Sequence, residues 1–346
     1  MSKVAARLNS NRYGEGHVQP SSERLRRIGT IAKTVIALAL LIVSASAQMG
    51  RIIPVLDPLN ALSPLIIAAA VILCIFSIRY DRLVLAMAGL AALCSVERVA
   101  PVFLSAMQAP IPDSPGIVVL SLNAWRHQDH PKQTARAIAA SGADIVLLQE
   151  AGPLLSQADT ILKRAYPFRS NCPTGCDLAI LSRLPVREFR YRIRDSRGML
   201  TGPRIVFGEI VGASDLGPIT VASIHVDRGD SPIGNRQQIS KSLDELFALL
   251  GKEDLIIGGD FNMTPYSFAF AKMDQAMFPI RRVSFGDHSY PSQIAGLPTI
   301  PLFAIDHIYA SPRWHAARVS VGHGFHSDHR PVAVRLLENR PDQSHE

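Results

Sequence analysis

DLIIGGDFN (254–262) is the stretch on which the reading of the C-terminal part of the chain turns. Leu255, Ile256 and Ile257 form a short apolar run of the kind that a buried strand provides, and it stops at polar residues. Asp260 and Asn262 stand one residue apart at its end and therefore share a face of an extended chain. A strand end is where a rigid sheet delivers side chains to a solvent-filled cleft.

The same texture repeats outward from this stretch. IVVLSLN (117–123), DIVLLQ (144–149), LAILS (178–182) and ITVASIH (219–225) are short apolar runs bounded by turns. Each reads as a buried or half-buried strand. PKQTARAIAASG (131–142) and about 233–250 read as helices. The second carries Ile239, Leu243, Leu246 and Leu250 on one face, with Gly251 as its stop. Strands and helices mixed over 117–338 predict an α/β or α+β domain around a large sheet core.

Ahead of this domain the chain is different. Residues 1–27 are a polar tail. Apolar stretches follow at about 28–49, 59–78 and 83–104, the last interrupted by Glu97 and Arg98. A span needs about 20 residues, so two to three transmembrane helices are expected, making 28–106 a membrane anchor. MQAPIPDSPG (107–116) is a stiff Pro-rich linker, and 339–346 a short C-terminal tail.

The net charge of +7 belongs to the anchor: residues 1–110 hold 11 Lys and Arg against 5 Asp and Glu, and the rest 25 against 24. The charge therefore speaks to membrane orientation and carries almost no weight for a nucleic-acid partner. A positive tail followed by three spans places the C-terminal domain on the extracytoplasmic side of a multi-pass protein of the cell's inner membrane. Ala45-Ser46-Ala47 resembles a signal-peptide cleavage site, but the preceding polar region is long for one. Cys172 and Cys176 flank Pro173 and Gly175, and outside the cytoplasm they are expected to form a disulfide.

Polar residues recur where the strands end. Asn123, Glu150, His225, Asp260 with Asn262, Asp306, and Asp328 with His329 fall at separate strand ends. One such residue is ordinary turn chemistry. Six positions with carboxylates, amides and imidazoles are not. Carboxylate oxygens suit a hard cation such as Mg²⁺, and imidazoles can act as acid, base or phosphate donor near neutral pH.

Asn123, Gln149-Glu150, GDFN (259–262), IDHI (305–308) and SDHRP (327–331) together resemble the endonuclease/exonuclease/phosphatase superfamily, in family order over about 116–338. The resemblance implies a four-layer sandwich of two packed β-sheets flanked by helices, with the site at one edge of the sheets. It also implies roles. Glu150 and Asp328 would hold the divalent metal, Mg²⁺ or Mn²⁺ in its place, with Asn123 beside them at the metal or a phosphate oxygen. Asp260 would orient the attacking water, and Asn262 and His225 would bind phosphate. His329 would contact the scissile phosphate, steered by Asp306.

Blander assignments go to other residues. His307 is read as structural, His323 and His326 as polar loop groups. Arg183 is equally a cleft-facing or an ordinary loop residue. Arg190, Arg192 and Arg194, flanked by Arg187 and Arg197, read as a charged edge strand, with an anion-binding surface as the second reading. The function expected is a membrane-anchored, metal-dependent phosphoesterase acting on a phosphodiester or phosphomonoester by in-line attack of water. Nucleic acid and lipid head group remain the alternative substrates. A catalytically dead binding protein is the rival from another class, disfavoured because neither the metal carboxylate nor the SDH histidine is missing.

Overall fold

The computed structural model describes residues 22–79, 81–106, 116–170, 177–192, 204–211, 217–226, 247–248, 254–284, 287–319, 321, 323 and 325–338. Most of the N-terminal tail and linker, the C-terminal tail, almost all of the 233–250 helix, Arg194, Arg197 and the Cys172–Cys176 pair lie outside these residues.

The chain begins with α1 (Ser22–Met49), a 3₁₀ segment (Pro54–Leu62), α2 (Ser63–Ser77) and α3 (Arg82–Ala106). Three stretches, Arg24–Met49, Pro54–Ser77 and Arg82–Ser105, are long and apolar enough to cross a membrane. The third qualifies despite Glu97 and Arg98, so the count of two to three resolves to three candidates. Small residues let the helices approach: Ala37, Ala70, Ala88 and Ala91 are fully buried between them. Large side chains such as Ile31, Ile75 and Leu93 face outward and remain mostly exposed.

The C-terminal domain contributes β1 (Ile117–Asn123), α4 (Pro131–Ala140), β2 (Ile145–Gln149), α5 (Gly152–Ala165), β3 (Phe168–Arg169), β4 (Ala179–Ser182), β5 (Val186–Arg192) and β6 (Arg204–Ile210). After these come β7 (Ile219–His225), β8 (Leu255–Asp260), α6 (Phe268–Met277), β9 (Arg281–Arg282), β10 (Gln293–Ile294), β11 (Leu297–Pro298), β12 (Asp306–Ala310), β13 (Trp314–Arg318) and β14 (Val332–Glu338). One six-stranded sheet runs β13-β14-β1-β2-β4-β3, the other β5-β6-β7-β8-β12-β9, and β10 and β11 form a small hairpin.

Alternation along the strands sorts the core into layers. Val119, Leu147, Ile180, Val221, Ile256, Ile308 and Val334 meet between the two sheets. Their neighbours Leu120, Leu122 and Leu148 point the other way, onto Ile138 of α4 and Leu154 and Leu162 of α5. On the far side Ile224 and Ile257 pack against Phe270, Met273 and Met277 of α6. Strands covered on both faces explain the continuous apolar runs of the sequence. Each Leu or Ile buried there is worth roughly 1.5–3 kcal/mol. The result is the four-layer sandwich the resemblance implied.

Each sheet has a parallel pair at its centre, β1 with β2 and β7 with β8. Parallel neighbours end side by side. Asn123 pairs with Gln149, His225 with Asp260, and antiparallel β12 brings Asp306 opposite Asp260. The strand ends of both sheets thus open onto one edge. The arginine-rich β5 is the edge strand of its sheet, with Arg187 on Glu209 at 3.0 Å and Arg190 on Glu188 at 2.8 Å. This arrangement favours the charged-edge reading.

Candidate active site

Two glycines bring β8 close to its neighbours before the first polar residue. A Cβ at Gly259 would lie 1.8 Å from the Ile224 carbonyl oxygen, and one at Gly258 2.7 Å from the Leu147 side chain. A larger residue at 259 would push β8 away from β7 and move Asp260 with it, and one at 258 would press on Leu147 of the facing sheet.

Asp260 is 1% exposed and sits at the centre of the constellation. Its Oδ2 accepts from Asn123 Nδ2 at 3.0 Å and from Asn262 Nδ2 at 3.4 Å, while Oδ1 accepts the Asn262 backbone N–H at 2.8 Å. His225 Nε2 and His329 Nε2 each stand 3.8 Å from Oδ2. Burial, together with the negative charge of Asp306, raises the Asp260 carboxyl above its ordinary range, against the pull of the two imidazoles and Asn123. Asn262 also donates to the Val226 carbonyl at 2.7 Å, so its amide braces the end of β7 as well as Asp260.

His329 Nδ1 donates to Asp306 Oδ2 at 2.7 Å, and both residues are buried. Burial alone would depress this imidazole. The adjacent Asp306 charge and hydrogen bond, with Asp260 and Asp328 nearby, overturn that effect and push it up to about 10. The ring is therefore an imidazolium at neutral pH, with Nε2 directed toward Asp260. Ser327 fixes the SDH turn: its Oγ donates to the Asn123 carbonyl at 2.6 Å and accepts the His329 N–H at 3.0 Å. Tyr290 packs on the His329 ring with centroids 4.9 Å apart.

Glu150 follows β2 in the left-handed backbone region, with φ of 50°, and Asn262 does the same after β8 with φ of 51°. Such φ values are uncommon outside glycine and cluster where function overrides local preference. Glu150 Oε2 accepts from the Arg126 backbone at 3.0 Å and from its side chain at 3.1 Å. Burial would raise this carboxyl, but the Arg126 hydrogen bonds and charge more than offset it, giving about 2. Its other oxygen faces His225 Nε2 at 3.9 Å.

The cleft holding these groups has a volume of about 360 Å³. Asn123, Glu150, His225, Asp260, Asn262, Asp328 and His329 all line it, together with Trp125, Arg126, His127 and Tyr290. Asp306 stands behind His329. The last four lining residues escaped the sequence reading. The run AWRH (124–127) directly after Asn123 was a local signal for three of them, whereas Tyr290 had none. Of the two readings of Arg183 the loop one holds: its guanidinium donates to the Ala139 carbonyl at 3.1 Å and lies over the Tyr166 ring, and it does not line this cleft. His307 also stays outside the cleft, its ring packed at a tilt against Phe270.

The donor set fits a hard divalent cation. Asp328 Oδ1 is buried without a hydrogen-bond partner, and burial with the Glu150 and Asp306 charges raises this carboxyl despite His329. An ionised Glu150 beside an under-satisfied Asp328 is an arrangement that a cation would complete. Asp260, Asp306 and His329 also bring ligand atoms within 4.8 Å of one another. There, however, Asp306 Oδ2 and His329 Nδ1 are bonded to each other, which favours the Glu150–Asp328 side.

A sequence model of the Endonuclease/Exonuclease/phosphatase family matches residues 120–329, more than half of the chain. A search of curated proteins found no match. Among solved structures, the human Nocturnin catalytic domain with bound sulfate anion is similar, at 15% identity and a TM-score of 0.52, covering 67% of this chain and 97% of that one. An endonuclease/exonuclease/phosphatase from Bacteroides vulgatus gives 16%, 0.52, 65% and 100%. D. rerio TDP2 complexed with single strand DNA product gives 15%, 0.51, 65% and 100%. At these identities the likeness is one of fold.

Proposed function

The chain belongs to the endonuclease/exonuclease/phosphatase family, and from that premise we propose that it is a membrane-anchored, divalent-metal-dependent phosphoesterase. The observation that carries this reading is the buried Asp306–His329 pair directed at Asp260, across one cleft from an ionised Glu150. Glu150 and Asp328, with Asn123 beside them, would hold Mg²⁺ or Mn²⁺. Such an ion would supply charge neutralisation on the phosphoryl oxygens. Asp260, its carboxylate set by Asn123 and Asn262, orients a water for in-line attack and accepts its proton. His329, held by Asp306, donates from Nε2 to the phosphoryl or leaving-group oxygen. His225 donates to a second phosphate oxygen.

A phosphate ester presented at a lipid head group is the substrate we favour. Asn262 lies four residues before Tyr266, whose carbonyl accepts from Arg98 of α3 at 2.9 Å. Four residues span at most about 14 Å, so the cleft stands close to the apolar helices. A DNA product in the TDP2 structure keeps nucleic acid as the alternative. In the test, the full chain in detergent is given phospholipids, DNA, RNA and inositol phosphates with Mg²⁺. Hydrolysis that EDTA abolishes is expected, and Glu150→Ala should recover part of its activity at high Mg²⁺. Turnover unaffected by EDTA would sink the metal-dependent reading.

The three spans and the positive tail support an extracytoplasmic catalytic domain in an inner membrane. Arg51, just after α1, and Arg98, near the end of α3, both stack on Phe268 at 4.9 and 4.4 Å. This agrees with both helices ending on the side where the domain lies. Alkaline phosphatase fused after residue 346 should be active. A silent fusion, with a fluorescent cytoplasmic fusion in its place, would reverse the topology.

A further inference from the structure

The N-terminal helices meet the C-terminal domain at the start of α6, just downstream of the Asp260–Asn262 turn. Asp57, in the 3₁₀ segment, is 3% exposed. Its Oδ1 accepts the Phe268 N–H at 2.8 Å and its Oδ2 the Ala269 N–H at 2.9 Å. The first N–H groups of a helix have no partner within the helix, and a carboxylate also complements the positive end of its dipole. α6 has its own cap, since Ser267 Oγ accepts the Phe270 N–H at 3.0 Å. Asp57 therefore supplies, from 211 and 212 residues away, the two contacts that Ser267 leaves open. Asn60 Nδ2 steadies the carboxylate at 3.1 Å and ties it to the end of α1 through the Ala47 carbonyl at 3.0 Å.

Arg98 completes the clamp. Its Nε and Nη2 donate to the Tyr266 and Ser267 carbonyls at 2.9 and 3.2 Å. Arg51 joins Glu97 at 2.8 Å beside it. Two charges that interrupt the third apolar run thus have defined partners, one of them in the other part of the chain.

The clamped segment is short and held at both ends. Asp260 is held by the β8–β12 ladder, Asn262 turns in the left-handed region, and the Met263 carbonyl accepts from His307 Nε2 at 3.1 Å. Four more residues lead to the peptides held by Asp57. Asparagine tolerates the left-handed region, and bonds to Asp260 and Val226 hold Asn262 there. The anchor's contacts fix the far end of this segment, at Tyr266–Ala269.

We propose that Asp57 and Arg98 are positioning residues for the reaction: the membrane module docks on α6 and sets the Asp260–Ser267 segment, so that turnover depends on an anchor outside the cleft. The proposal rests on the phosphoesterase reading above. Its distinctive consequence is that a change in the anchor lowers turnover without altering capture of a small soluble substrate.

The experiment uses the full chain in detergent with Mg²⁺ and bis(p-nitrophenyl) phosphate, and measures kcat, KM and hydrogen exchange of the 261–270 amides. Asp57→Ala should lower kcat about tenfold with KM moved less than about threefold, and should speed exchange over 261–270 about tenfold, while 145–149 in β2 is unchanged. Asp57→Asn, which keeps one acceptor oxygen, should fall between. If Asp57→Ala does not accumulate, Arg98→Lys is measured in the same way, with the same directions expected. Faster exchange at undiminished kcat would overturn the positioning role, and unchanged exchange would overturn the docking itself. A wild-type chain that hydrolyses no phosphate ester would fail the phosphoesterase reading and with it the link to turnover; exchange would still decide the docking.

Discussion

Asp306 and His307 are neighbours on β12, yet they belong to opposite sides of the sheet and to opposite kinds of chemistry. Asp306 lies behind the cleft and holds His329, whose imidazole is pushed up to about 10. His307 faces α6, packed 4.5 Å from Phe270 and near Phe261, and is pushed down to about 3. Both histidines are buried, and burial depresses both. The difference is the partner: carboxylates surround His329, whereas His307 meets aromatic rings, the Arg282 charge, the Met263 carbonyl at 3.1 Å and the Ser284 hydroxyl at 3.4 Å. Residue type decides neither role. Alternation along a strand decides which environment a residue enters, and the environment sets its charge.

The largest expected effect breaks the comparison on its cleft side. His329→Ala and Asp306→Ala should each lower turnover by about 10²–10⁴-fold, the range that acid–base assistance commands. The losses should not multiply, because a missing imidazole and a misoriented one disable the same step. A double variant whose loss equals the product of the two would separate Asp306 from His329. It would make Asp306 a ligand or a structural acid in its own right.

Much of the cleft was legible because the cue was repeated. Asn123, Glu150, His225, Asp260 and Asp306 each close or follow an apolar run, and the SDH turn stands before β14. A sheet that ends its central strands together has to bring such residues to one edge. The polar contacts that complete the site were not legible, for a physical reason. Asp57 and Arg98 find their partners 211 and 168 residues away, and nothing local marks a carboxylate as the cap of a distant helix. Glu97 and Arg98 even counted against the third apolar run, because hydropathy registers a charge without its partner. Tyr290 came to rest on His329 through a loop that carries no periodic signal. The left-handed turn at Glu150 is equally silent, since glutamate is not a residue that favours that region, whereas asparagine at 262 is one that does.

The smaller prediction tests the other side of β12, and its sign follows from the depressed pKa. An unfolded histidine titrates near 6.5, whereas folded His307 takes up its proton only near 3. Above about pH 6.5 both states are neutral at this position and His307 leaves stability independent of pH. Between 6.5 and 3 the unfolded chain binds a proton that the folded chain refuses, so stability falls as pH falls. The slope approaches about 1.4 kcal/mol per pH unit, diminished by whatever relaxation lets water reach the ring. A glutamine at this position does not titrate and keeps a donor for the Met263 carbonyl. His307→Gln should therefore lose stability at pH 7 through poorer packing against Phe270, yet show a shallower decline between pH 6 and 4 in denaturant titrations of the full chain. Activity at pH 7 should fall far less than for His329→Ala, because His307 braces the backbone after Asn262 from outside the cleft. Parallel acid limbs for wild type and His307→Gln would show that the ring is hydrated or already charged. The contrast between the two histidines would then be one of position alone.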